Sequence, residues 1–232
     1  MLHKTRGVVF RFTKYGETSI IVNIFTAQFG LQSYIVNGVR SKSAKNKIAL
    51  FQPLTLLDLV VYYRENASIL RIKEVKCIHS YQSLTSDIRK SAIALFVNEI
   101  LNKAVKDQSH AEEICDFLIG ALISLDESEA PENFHLIFMI KLSHYLGFGP
   151  QNKDDVLGVW LVEKEDEPAL EKLLKADLKD NVSLSYASRK NLLESLLRFY
   201  AMHIDNFGEV KSVQVARRNA QVIVGFLHTQ TS

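Results

Sequence analysis

The stretch TRGVVFRFTKYGETSIIVNIFTAQFGLQSYIV, residues 5–36, alternates apolar and polar side chains with a period of two and is broken twice by turn residues. That period is the mark of half-buried β-strands. Thr5–Thr13 reads as a first strand, with Val8, Phe10 and Phe12 on one face and Arg11 and Thr13 on the other. Lys14-Tyr15-Gly16-Glu17 is a turn. Thr18–Thr26 is a second strand with Ile20, Val22 and Ile24 on one face. Gly30 closes the next turn, and Leu31–Val36 is a short third strand. Residues 37–47 are polar, small and basic, which is loop composition. Pro53 precedes a fourth strand, Thr55–Tyr63. Glu65-Asn66-Ala67 turns into a fifth, Ser68–Lys76, where Leu70 and Ile72 face away from Arg71 and Lys73. Five short strands must hide their edges, and closure into a small barrel does so. An OB-fold is the commonest barrel of this size, and an SH3-like barrel is the competitor.

Beyond residue 80 the period becomes helical. Asp87–Val105 places Ile88, Ala92, Leu95, Val97 and Ile100 near one stripe. Ser109-His110-Ala111-Glu112 has the spacing of a capping box opening Ala111–Leu125. Pro131 suits the first position of a helix over Glu132–Leu146 that stops at Gly147. Val156–Val162 reads as a strand and Pro168–Ala176 as a short charged helix. Ser188 suits the cap of a helix to about Asp205, and Ser212 that of a last one to about Phe226. The fold class is therefore α+β: a five-stranded barrel over residues 1–80, then a mainly helical domain over residues 81–232. No long linker separates them, so the two parts are expected to touch.

The chain has 232 residues, 47% hydrophobic and 23% charged, which excludes wholesale disorder. No window approaches the run of roughly 18 apolar residues that spans a membrane. The opening MLHKTRGVVFRF lacks a signal-peptide core. The reading is a soluble, cytoplasmic protein with no membrane partner. Cys77 and Cys115 are the only cysteines, too few for a disulfide framework or a thiolate zinc site. The net charge of +2 conceals a split: residues 1–80 hold 12 Lys and Arg against 4 acids, +8, whereas residues 81–232 sum to −6. A basic half points to a polyanion, or to docking of that half on the acidic one.

Catalytic motifs are missing. There is no GxxxxGK[ST], no GxGxxG and no GxSxG. The 7 histidines are scattered, with no HExxH. His135 and His144 are too far apart on one helix to share a metal. No catalytic residue, metal site or cofactor is expected. The positive signal is electrostatic. Arg40, Lys42, Lys45 and Lys47 fall in one loop with small residues between them. Lys4, Arg6, Arg11, Lys14, Arg64, Arg71 and Lys73 belong to the same half. Long cations on a flexible loop can follow a phosphate backbone and release its counterions. Tyr15 and Tyr34 are the candidate platforms for base stacking, while most phenylalanines are assigned to the core. A basic barrel that binds single-stranded nucleic acid is the reading of the residues alone. An OB-fold RNA- or ribosome-binding protein is the alternative. A nuclease would need a carboxylate cluster that is not there.

Several segments, in order, resemble one family. They are Thr5-Arg6-Gly7-Val8-Val9, Tyr15-Gly16-Glu17, Phe25-Thr26-x-x-Phe29-Gly30, Asn37-Gly38-Val39-Arg40-Ser41 and Phe51-Gln52-Pro53-Leu54. Tyr145-Leu146-Gly147-Phe148-Gly149-Pro150, Ser188-Arg189 with Leu192-Leu193, Phe199-Tyr200, His203 and Lys211-Ser212 continue the set. Together they look like the RecO family of DNA repair proteins. The resemblance implies an OB-fold and a helical domain that serve as a recombination mediator. It implies binding of single- and double-stranded DNA, annealing of complementary strands without ATP, and action with RecR to load RecA onto DNA coated by single-strand-binding protein. It further implies contact with the acidic, Phe-ending tail of that protein, in the cytoplasm at the nucleoid. Many members carry a four-cysteine zinc finger after the Leu-Gly-Phe segment. Residues 148–186 hold no cysteine, so a zinc-free remnant is expected. An acidic tail ending in Phe needs an apolar pocket rimmed by cations. The candidates are Phe134, Lys141 and Tyr145 on one helical stripe with Phe138, joined by Arg189 and Arg198. Core packing competes for that stripe, above all at Phe138. Arg217-Arg218 is either a second DNA contact or a solvated face.

Overall fold

The computed structural model describes residues 1–41, 47–106, 109–150, 155 and 164–213. Five strands form a closed barrel: β1 (Leu2–Tyr15), β2 (Ser19–Thr26), β3 (Gly30–Val36), β4 (Leu56–Tyr62) and β5 (Leu70–Cys77), in spatial order β1-β2-β3-β5-β4. Every pairing is antiparallel except β3 with β5. This is the OB topology rather than an SH3-like one. A 3-10 turn, Ile48–Phe51, follows the basic loop, and its Phe51 is buried with Val39 inside the barrel.

Apolar residues from alternate positions fill the interior: Val9, Ile20, Val22, Ile24, Leu57, Leu59 and Val61. β1 does not keep strict alternation. Its register with β2 slips between Val9 and Arg11, leaving Phe10 as the extra residue of a bulge. A bulge shifts the parity of every later side chain. Val8 and Phe10 therefore point to the helices, whereas Phe12 packs on the interior, so the three do not share a face as their spacing predicts. Phe25 also faces the helices and stacks on Phe10 with centroids 5.8 Å apart.

Gly7 marks a close approach. A Cβ there would lie 2.7 Å from Cγ2 of Ile24 and 2.9 Å from the Phe25 carbonyl oxygen. Overpacking of this kind costs about 1–3 kcal/mol. Gly7→Ala is expected to lower the urea midpoint accordingly. An unchanged midpoint would mean that β1 and β2 separate there without penalty.

The α-helices that lie wholly within the described residues are α1 (Ile88–Ala104), α2 (Ala111–Glu127), α3 (Phe134–Tyr145), α4 (Glu167–Lys175) and α5 (Tyr186–His203). Asp87 caps α1, its carboxylate accepting from the Arg89 N–H at 2.8 Å. The α1 stripe read from sequence divides in two. Ile88 and Leu95 are 61% and 62% exposed, while Phe96, Val97, Ile100 and Leu101 are buried. At about 100° per residue, Val97 lies opposite Ile88 on the helix. His110, in a left-handed conformation, occupies the α2 cap position, and no side-chain cap forms there, so the expected box does not close. A 3-10 turn, Pro131–Asn133, precedes α3. Gly147, at φ +83°, ends that helix, with the Phe148 N–H donating to the Ser143 carbonyl at 3.1 Å. Ser185, not Ser188, caps α5: its hydroxyl accepts the Ser188 N–H at 3.0 Å. The Val156–Val162 segment, the rest of the helix opened by Ser212, and Arg217-Arg218 lie outside the described residues.

Barrel and helices share one core. Val8, Phe10, Phe25, Leu54 and Leu56 pack with α1, α2 and their neighbours. Asn102 on α1 donates to the Phe10 carbonyl at 3.3 Å. The segment from β5 to α1 wraps the buried carboxylate of Asp126, near the end of α2. It accepts from the N–H groups of Gln82, Ser83 and Leu84 at 2.7–3.1 Å and contacts Nε2 of His79 at 3.1 Å. Lys90, also buried, donates to the Asp126 carbonyl and to Oγ of Ser83. Among the described residues, no helix is long and apolar enough to cross a membrane.

Candidate nucleic-acid interface

Among the described residues, no element covers one side of β1, β2 and β3. Because Ile20, Val22, Ile24 and Tyr34 point inward, Ile21, Asn23, Ser33 and Ile35 point outward. Beyond the bulge, Arg11 pairs with Asn23 and Thr13 with Ile21, so Arg11 joins this face. Arg71 at the start of β5 pairs with Ile35 and closes the other side. The result is a half-buried floor of apolar, amide and hydroxyl side chains between two exposed cations. In OB-folds this face, with the β1–β2 and β4–β5 loops, is where oligonucleotides bind.

The β1–β2 turn stands at one end of the face. Gly16 takes φ +55°, which favours glycine. Lys14 is exposed and Tyr15 is 52% exposed beside it. Arg40 reaches across: its guanidinium donates to the Gly16 carbonyl at 3.2 Å and its N–H to the Thr18 carbonyl at 2.9 Å. The first cation of the basic loop is thereby fastened to the turn bearing Lys14 and Tyr15. Lys47 is exposed at the loop's far end. Lys42 and Lys45 lie outside the described residues. Arg64 is exposed in the β4–β5 loop, whose next strand begins with Leu70 paired to Tyr34.

Tyr34 itself is a correction. It is wholly buried inside the barrel, where burial pushes its phenol well above the ordinary value. A base cannot reach it; its neighbours Ser33 and Ile35 take the surface positions. Lys4 and Arg6 also belong elsewhere. They pair with Val60 and Asp58 on the β1–β4 side. Arg6 contacts Asp116 of α2 at 2.8 Å, both side chains about half exposed. Exposed pairs of this kind contribute only about 0–1 kcal/mol. Part of the basic surface thus faces the acidic helical half. Lys73 sits at a register shift in β5. Asn23 and Ser33 carried no sequence signal beyond being polar residues in apolar strands.

The tail-binding candidates do not converge. Phe134 is buried and stacks toward Phe138, so it belongs to the core. Tyr145 is 39% exposed and stacks on Phe117 at 4.6 Å, one turn along α3 from Lys141. Arg189 donates to Asn133 Oδ1 at 2.6 Å, at the opposite end of α3, about 18 Å away by helical rise. Arg198 lines a separate hollow with Leu197, Phe207 and Val213. Cys77 and Cys115 are free thiols. Among the described residues, no group of three His, Cys, Asp or Glu is placed to hold a metal ion.

The fold agrees with the sequence comparisons. Residues 1–81 match the family described as Recombination protein O N terminal, and residues 85–159 its C-terminal counterpart. The chain belongs to the RecO family. DNA repair protein RecO of Flavobacterium psychrophilum is 33% identical over 231 residues, covering 92% of this chain and 97% of the relative. That of Flavobacterium johnsoniae is 32% identical over 232 residues, with 92% and 97% covered. That of Bacteroides fragilis is 31% identical over 238 residues, with 94% and 98% covered. RecO membership assigns the chain a role in DNA repair and recombination.

Proposed function

We propose that the chain is a recombination mediator that binds single- and double-stranded DNA through its barrel. It anneals complementary single strands without ATP. With RecR it helps to load RecA onto DNA coated by single-strand-binding protein. One observation carries this reading: the open β2–β3 face, flanked by Arg11 and Arg71, ends at a turn where Arg40 ties Lys14 and Tyr15 to the basic loop. Such a surface favours a flexible single strand, whose phosphates meet the cations while its bases lie on the floor. Bringing two polyanions together requires charge neutralisation and no bond chemistry, so neither a catalytic residue nor a cofactor is needed.

The surface where Tyr145 overlies Phe117 beside Lys141 is the better place for the acidic, Phe-ending tail, since an apolar patch next to a cation fits its terminus. The test is annealing of complementary strands coated with the cognate single-strand-binding protein, without ATP. Acceleration is expected, and it should vanish when the coating protein lacks its tail. DNA binding without acceleration would sink the mediator role. Preference for RNA would transfer the reading to an RNA-binding OB-fold.

A further inference from the structure

Among the described residues, no element covers a second face of the barrel, made by the first half of β1 with β4 and β5. Its centre is Tyr62. The neighbouring Val61 is buried inside, so Tyr62 points outward, and it is 49% exposed. Leu2 on β1 and Arg71 on β5 are its cross-strand partners. One row further along, Lys4 pairs with Val60, and Val60 with Glu74. Lys73 stands at the register shift beside them, its Nζ 3.7 Å from the Glu74 carboxylate. An accessible aromatic ring among Lys4, Arg71 and Lys73, with Glu74 beside Lys73 and with Asp58 and Glu112 lining a hollow with Lys4, has the composition of a base-stacking platform on a cationic track.

Arg71 belongs to both faces. It pairs with Ile35 on β3 and with Tyr62 on β4. Two strand spacings, about 10 Å, therefore separate the Ile35 floor from the Tyr62 ring. That is close to the Debye length at 0.1 M salt, so screening leaves only part of the repulsion between two phosphate backbones on these faces. A cation between them reduces that repulsion.

We propose that the Tyr62 face is a second single-strand DNA site: Tyr62 stacks on a base, and Lys4, Arg71 and Lys73 take the flanking phosphates. One barrel then holds two strands on adjoining faces. The proposal rests on the β2–β3 face being the first site.

The test counts strands per chain by native mass spectrometry. It uses the full chain and a short thymidine oligonucleotide of about eight nucleotides, which cannot pair with itself and is near one OB site in size. Two strands are expected on the unaltered protein, one on Tyr62→Ala and two on Tyr62→Phe. Lys4→Glu combined with Lys73→Glu replaces two exposed side chains and should also leave one, which keeps the test valid if Tyr62→Ala does not fold. Affinity for the second strand should fall at least about fivefold in Tyr62→Ala, the lower bound for truncating a stacking aromatic, and annealing of bare complementary strands should slow with it. Two strands still bound by both variants, or a single strand on the unaltered protein that is lost with Arg11→Ala and Lys14→Ala, would overturn the proposal. A single strand that survives Arg11→Ala and Lys14→Ala but not Tyr62→Ala would overturn the β2–β3 reading instead.

Discussion

Replacing Asp126 with alanine should cost about 3–5 kcal/mol of stability, the usual penalty for breaking a buried charged network. The carboxylate is the acceptor for three consecutive backbone N–H groups and lies against the His79 ring. Alanine leaves those donors facing a void, and each unsatisfied buried donor costs about 1–3 kcal/mol. The same atoms join the β5–α1 segment to α2, so the lost contacts loosen the barrel from the helices. Burial by itself would raise this carboxyl. The N–H groups of Gln82 and Ser83, then His79 and Leu84, outweigh it and hold the group well below the usual carboxylate range. A depressed folded-state pKa adds stability above the unfolded value, about 3.9, and that stability is lost as pH falls through the folded one. Urea titrations of Asp126→Ala and the unaltered protein should therefore differ most at neutral pH and converge as the solution becomes more acid than about pH 4. A midpoint within error of the unaltered protein at neutral pH would remove Asp126 from this role.

The second large effect concerns binding. Arg11, Lys14 and Arg71 are exposed and their alanine variants leave the core untouched. On single strands each phosphate contact contributes about 0.7 to the slope of log affinity against log salt, so the triple variant should lose about 2 from that slope. The same counterion term makes each contact worth about fivefold at roughly 0.1 M salt, so affinity should fall about a hundredfold there. Fluorescence titration of a labelled single strand at several salt concentrations reads both quantities. Equal slopes for variant and unaltered protein would show that DNA passes elsewhere on the barrel.

What could be read from the residues in order was local. Alternation located the five strands and the inward set Ile20, Val22 and Ile24. The outer reaches of β1 were not legible, because Leu2 joins the strand only by pairing with distant Tyr62, and Lys14 and Tyr15, read as a turn, extend it by pairing with Ile20 and Ser19 across the hairpin. Helical spacing located α1 to α5 to within a few residues, and the charge split marked the barrel as the basic half. Period does not say which parity faces inward, and at three places tertiary pairing decided it. The bulge at Phe10 turned Phe12 into the barrel. The parallel pairing of β3 with β5 closed the sheet around Tyr34 and left Ser33 and Ile35 outside. Contact with α2 drew Arg6 toward Asp116, while Arg11 and Arg71, no different from Arg6 as letters, came to border the open face. Sequence alone determined the two-part architecture, the basic character of the barrel and the family, since these follow from composition, period and ordered local motifs. The tertiary structure decided which cations share a surface and which aromatics reach solvent, because those depend on pairings between residues far apart in the chain.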